Sequence, residues 1–99
     1  MITLIARMTA KAGEFETMRA LALELSAAVA AHEPANELYA VCDGPEPNTL
    51  ILIERYADEA ALEAHLAGDH LKSIGARIRG KLALRTEILF RLNDCLAPA

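Results

Sequence analysis

No run of 18 apolar residues occurs in the sequence, so no segment has the length to cross a membrane as a helix. No basic block or Lys/Arg stripe occurs either. With a net charge of −4 and a pI near 5.3, nucleic acid is not an expected partner. GxGxxG, P-loop and GxSxG patterns are all missing, and cysteine and histidine are nowhere paired, so nucleotide-dependent and covalent-nucleophile chemistries have no support. The only cysteines, Cys42 and Cys95, form no CxxC motif and read as inert thiols in a reducing compartment. The opening "MITLIARMTAKAG" lacks the charged start, long apolar stretch and cleavage site of a signal peptide, so a cytoplasmic location is expected. Repeats, linkers and low-complexity segments are also lacking, and 99 residues fit a single domain, 1–99.

What the chain has in abundance is apolar surface. Apolar residues make up 54% of it, and the mean hydropathy is +0.21. A chain this short buries only about two-thirds of its unfolded surface. So rich a composition therefore points to further burial by self-association.

Residues 2 to 10 alternate as a strand, with Ile2, Leu4, Ala6 and Met8 on one face and Thr3, Ile5 and Arg7 on the other. Gly13, Glu14 and Glu16 mark a helix start, since acids favour the positive end of the helix dipole. The stripe Phe15, Met18, Ala22, Leu25 and Val29 carries that helix to about residue 32, where "HEPAN" ends it. A second strand follows over about 37–42, a turn in "DGPEPN", and a third strand over Thr49–Tyr56. Asp58 caps the next helix, Gly68 and Asp69 break and restart it, and a last helix over about 70–79 turns Leu71, Ile74 and Ile78 inward before Gly80. A final strand alternates from Leu82 to Leu92. The tail "NDCLAPA" is expected to fray.

This order, β-α-β-β-α-α-β, predicts an α+β fold: a ferredoxin-like antiparallel sheet with helices on one face. The stretch "LILIERY", 50 to 56, is then informative. Leu50, Ile51, Leu52 and Ile53 are apolar on both faces, yet helices cover only one. A second copy is the simplest cover for the other, closing two sheets into a dimeric barrel.

Glu54 and Tyr56 share a strand face with Leu50 and Leu52. With Ile51 and Ile53 turned to the helices, that face would look into a cavity on the dimer side. A carboxylate and a phenol at the rim of an apolar pocket suit a small molecule. The plainer alternative pairs Glu54 with an arginine such as Arg85 or Arg91 and packs Tyr56 at the strand end. His65 shares a helix stripe with Ala61, Leu62 and Leu66 and is the natural acid–base group, although a lone inward histidine is more often structural. His70 lies five residues on, across Gly68. His32 ends the first helix's stripe in a capping or packing role. No further ligands at metal-binding spacing accompany these histidines, so no metal site is expected. Arg77, Arg79 and Lys81 match the negative end of the last helix's dipole.

"ITLIARMTAKAG", "EP" before the second strand, and "LILIERYADEAALEAHLAGDH" together resemble the antibiotic biosynthesis monooxygenase family, over about residues 2 to 92. The resemblance implies the dimeric α+β barrel fold. It also implies oxidation of phenols, hydroquinones or anthrones by O₂ with no metal, flavin or haem. Glu54 and His65 fit the family pattern. Ala35 stands where the family often has glycine, and Tyr56 where it often has tryptophan. Ala6 stands where haem-degrading relatives have asparagine, which together with Tyr56 argues against haem degradation.

The expected function is a cofactor-independent monooxygenase on a small aromatic or quinol-type substrate, with His65 accepting a proton and Tyr56 holding the ring. Glu54, Asn36, His70 and Leu52 are the expected substrate-binding residues, and a homodimer the expected assembly. An isomerase or lyase of a small polar metabolite, or a non-enzymatic small-molecule-binding dimer, are the alternatives. Several converging charged groups would favour the polar metabolite, a mostly apolar cavity the aromatic one, and a filled core the non-enzymatic reading.

Overall fold

The computed structural model describes residues 1–93; the tail from Asp94, including Cys95, lies outside the described residues. The chain runs β1 (Ile2–Thr9), α1 (Phe15–His32), β2 (Asn36–Asp43), β3 (Thr49–Tyr56), α2 (Glu59–Ala67), α3 (Asp69–Arg79) and β4 (Glu87–Asn93). The four strands form one antiparallel sheet in the order β2-β3-β1-β4. This is the expected α+β, ferredoxin-like arrangement, with β1 and β3 central.

Local chemistry sets the element ends. Gly13 supplies the positive φ of 77° that turns β1 into α1. Glu33 leaves the helical region at φ −125°, as expected of a residue before proline. Asn48 takes φ 62° in the β2–β3 turn, a conformation asparagine tolerates. The Asp58 carboxylate accepts the Ala61 N–H at 2.8 Å and caps α2.

The β1–β3 register pairs Ile2 with Tyr56, Leu4 with Glu54, Ala6 with Leu52 and Met8 with Leu50. All eight are buried, on the face that carries the helices. Ala6, Met8, Leu50 and Leu52 form the core with Met18, Leu21, Ala22, Leu25 and Val29 of α1 and Ile74 and Ile78 of α3. Tyr56, Ile2, Leu4 and Leu62 form a smaller cluster at one end. Each large apolar side chain so enclosed contributes about 1.5–3 kcal/mol.

This reverses the facing expected for β3. Leu50, Leu52, Glu54 and Tyr56 look toward the helices, and Ile51 and Ile53 look away. The reason is parity. Both faces of β3 are apolar, so its own pattern cannot orient it; pairing with the even residues of β1, which meet the α1 stripe, does. The open face holds Ile5, Ile51, Ile53 and Arg55, half-buried, with Leu38 of β2 and Phe90 and Leu92 of β4 more exposed.

The last strand is shorter than its alternation suggests. Leu82 forms only an isolated bridge to Ala10, and regular pairing starts at Glu87. A register shift between Ile5 and Ala6 sets Phe90 opposite Ile5 but Ile88 opposite Ala6. Ile88 and Phe90 therefore fall on opposite faces, because a bulge inserts a residue and breaks the period of two. On α2, Leu62 and His65 are buried, but Leu66 is 58% exposed and not part of the inward stripe.

Candidate functional site

Near the end of β3, strand alternation turns Glu54 and Tyr56 to the same side, under the helices. The β2–β3 ladder sets Tyr39 opposite Glu54 and Asn36 opposite Tyr56. From above, α2 lowers His65 between the two phenols. Its ring centroid lies 5.4 Å from that of Tyr56 and 5.5 Å from that of Tyr39. From the end of α1, Glu33 reaches in until its Oε1 is 2.7 Å from His65 Nδ1. One imidazole, two carboxyl groups, two phenols and an amide thus meet where α1, β2, β3 and α2 converge.

The inner part is closed. Tyr56 is 0%, His65 3% and Glu54 7% exposed. Tyr56 Oη donates to Glu54 Oε1 at 2.5 Å. Glu54 therefore does not pair with an arginine; Arg91 instead binds Glu59. Asn36, Tyr39 and Glu33 are half-buried and form the side of the cluster nearest solvent. Two surface clefts among the described residues, of about 420 and 380 Å³, are lined by other residues: Ile2, Asp58 and Arg91 are among those of the first, Arg7, Thr49 and Glu87 among those of the second.

Burial also decides the protonation of these groups. It pushes the Glu54 carboxyl above the usual carboxylate range, against the opposing pull of the Tyr56 hydrogen bond and the His65 charge. It pushes both phenols far above their usual range, and the neighbouring Glu54 charge adds to this. Tyr39 and Tyr56 therefore stay protonated and can only donate or pack. The imidazole is the group of the cluster whose ring carries both a donor and an acceptor nitrogen.

Of the residues singled out by sequence, His65, Tyr56, Glu54 and Asn36 come together. Leu52 shares their face but sits in the main core. His70 stacks instead on His32, ring centroids 4.7 Å apart and 17° from parallel, at the seam of α1 and α3. Two residues of the cluster escaped sequence reasoning. Tyr39 carried a usable signal, since alternation with Val41 puts it on the inner face of β2. Glu33 carried none, because its contact with His65 spans 32 residues. Among the described residues, no group of three or more His, Cys, Asp or Glu side chains could hold a metal ion, and no helix is long and apolar enough to cross a membrane.

Comparison with known proteins is consistent with this architecture. Residues 1–77 match the model of the antibiotic biosynthesis monooxygenase family, and the chain belongs to that family. No curated protein matches it. Among solved structures, a Caulobacter crescentus protein assigned to the same family is 25% identical, with a TM-score of 0.88 over 95% of this chain and 89% of its own. A Mycobacterium tuberculosis protein superimposes with a TM-score of 0.87 at 20% identity, covering 99% of this chain and 98% of its own. A Nitrosomonas europaea protein of the same family description gives 0.88 at 14% identity, over 99% and 93%. The last two establish likeness of fold alone.

Proposed function

We propose that the chain is a cofactor-independent monooxygenase of small aromatic or quinol-type substrates, acting in the cytoplasm as a homodimer. The observation that carries this reading is the buried imidazole of His65, set between two phenols that stay protonated and beside the Glu54–Tyr56 pair. The closed cluster has to open on its half-buried Asn36–Tyr39 side, where a substrate can give a phenolic or benzylic proton to His65. The resulting electron-rich anion transfers an electron to O₂. The two radicals join through a new C–O bond, and the peroxide takes up a proton and loses water to leave a carbonyl. The substrate supplies all the electrons, so the protein has only to deprotonate, orient and exclude water.

The homodimer is supported by the apolar open face of the sheet. Arg55, on that face, has a buried Nε with no hydrogen-bond partner among the described residues. A second copy would cover the apolar side chains and could offer that nitrogen an acceptor.

O₂ uptake with a panel of hydroquinones, naphthols and anthrones tests the reaction. Wild type is expected to consume O₂ with at least one, and His65→Ala to lose ~10²-fold or more in turnover while folded. A folded His65→Ala protein with wild-type turnover removes His65 from the mechanism. A second reading, isomerisation of a small polar metabolite, is favoured by the number of converging polar groups. Glu54 and Tyr56 would then donate to a carbonyl oxygen while His65 takes the α-proton. Wash-in of solvent deuterium at carbon without O₂ uptake would select it.

A further inference from the structure

Glu33 is a surface-side residue whose carboxylate is spent on one buried atom. It lies just past α1, where the preceding turn and Pro34 fix its backbone, and its own N–H is held by the Val29 carbonyl. Its side chain is 19% exposed, whereas the His65 side chain it binds is 3% exposed. The 2.7 Å contact is to Nδ1. A carboxylate oxygen only accepts hydrogen bonds, so Nδ1 must carry the proton. That bond engages Nδ1 and leaves the other ring nitrogen, Nε2, out of it.

We propose that Glu33 is the positioning residue of His65, holding the imidazole in the tautomer with Nδ1 protonated and Nε2 free to act as the base. This rests on the reading of His65 as proton acceptor and adds two things to it. First, it names the accepting atom. An unrestrained neutral imidazole prefers the proton on Nε2, which would leave the wrong nitrogen basic; the carboxylate reverses that preference, as a buried aspartate does for the histidine of a serine-protease triad. Second, it supplies the compensating charge. When Nε2 takes a proton inside this closed cluster, the imidazolium sits 2.7 Å from the Glu33 carboxylate. That charge-assisted hydrogen bond stabilises the ion that burial alone would disfavour. The partial exposure of Glu33 also gives the proton a route to water after turnover.

The test uses the full chain and two variants, Glu33→Ala and the volume-preserving Glu33→Gln, with Glu37→Ala on exposed β2 as control. Long-range ¹H–¹⁵N correlation NMR reads the His65 tautomer without any substrate. Wild type is expected to show Nδ1 protonated and Nε2 bare, and Glu33→Ala to move the proton largely to Nε2. With an accepted substrate, both variants should lose on the order of 10²-fold in kcat with KM held within about threefold. A part that merely tied α1 to α2 would lower the melting temperature and leave the tautomer and the split between kcat and KM unchanged. A folded Glu33→Ala protein that keeps the wild-type tautomer overturns the proposal, and so does a Glu33→Gln protein with wild-type kcat. A wild type without O₂ uptake would instead count against the oxygenase reading, while the NMR result still decides the role of Glu33.

Discussion

Glu54 and Tyr56, two residues apart on β3, are hydrogen-bonded to each other at 2.5 Å in a setting closed to water. Neighbours at this spacing on a strand share a face, but a carboxyl group under the helices is unusual, since burial disfavours its charged form. The phenol is the partner that makes the burial tolerable.

The pH dependence of stability follows from that burial. An unfolded glutamate titrates near about 4.3. In the fold, burial raises the Glu54 carboxyl above its ordinary value. Between the two values the native state binds more protons than the unfolded chain, so its stability falls as pH rises through this window. Glu54→Gln keeps an acceptor for Tyr56 and cannot ionise. From pH 4 to pH 8, melting curves should show the difference between variant and wild type growing in favour of the variant. The half-buried Arg7–Glu87 pair, which lowers the Glu87 pKa and so acts in the opposite sense, is common to both proteins and cancels. A difference that shrinks with rising pH would mean that the fold stabilises an ionised Glu54.

Tyr56→Phe should keep the packing with Ile2, Leu4 and Leu62 but remove the hydroxyl that serves Glu54. A buried acceptor left without its donor costs about 1–3 kcal/mol. Urea denaturation is expected to show a loss in that range with an unchanged m-value. A loss below the error of the measurement would mean that water or Asn36 takes over the bond.

The facing of β3 separates two substitutions one residue apart. Ile53→Asp puts a charge on the open sheet face and should leave a folded protein that light scattering at micromolar concentration reports as a monomer, where wild type gives a dimer. Leu52→Asp puts the charge among the buried side chains of the main core and should prevent folding altogether. A wild type with monomer mass would sink the homodimer. A folded Leu52→Asp dimer would contradict the orientation of the strand.

Much of this molecule was legible in the chain. The helix boundaries followed from local rules that need no tertiary partner: the Asp58 cap, the break at Gly68, the stop at Gly80 and the departure before Pro34. The inward position of His65 followed from the three-residue spacing with Leu62. The final strand was less legible, because its even-residue alternation begins at Leu82, well before regular pairing starts at Glu87. The bulge opposite β1 is a property of the ladder and not of the strand.

The sequence by itself determined the order of elements, the helix ends and the excess of apolar surface, since each depends on residues within a turn or two of one another. Tertiary structure alone decided which face of β3 is inside, because both faces are apolar and only the register with β1 distinguishes them. It likewise decided the partner of His65. Glu33 lies 32 residues away on the far side of two strands, and no periodicity links the two. They meet because β2 and β3 fold back antiparallel, carrying the end of α1 and the body of α2 over the same end of the sheet.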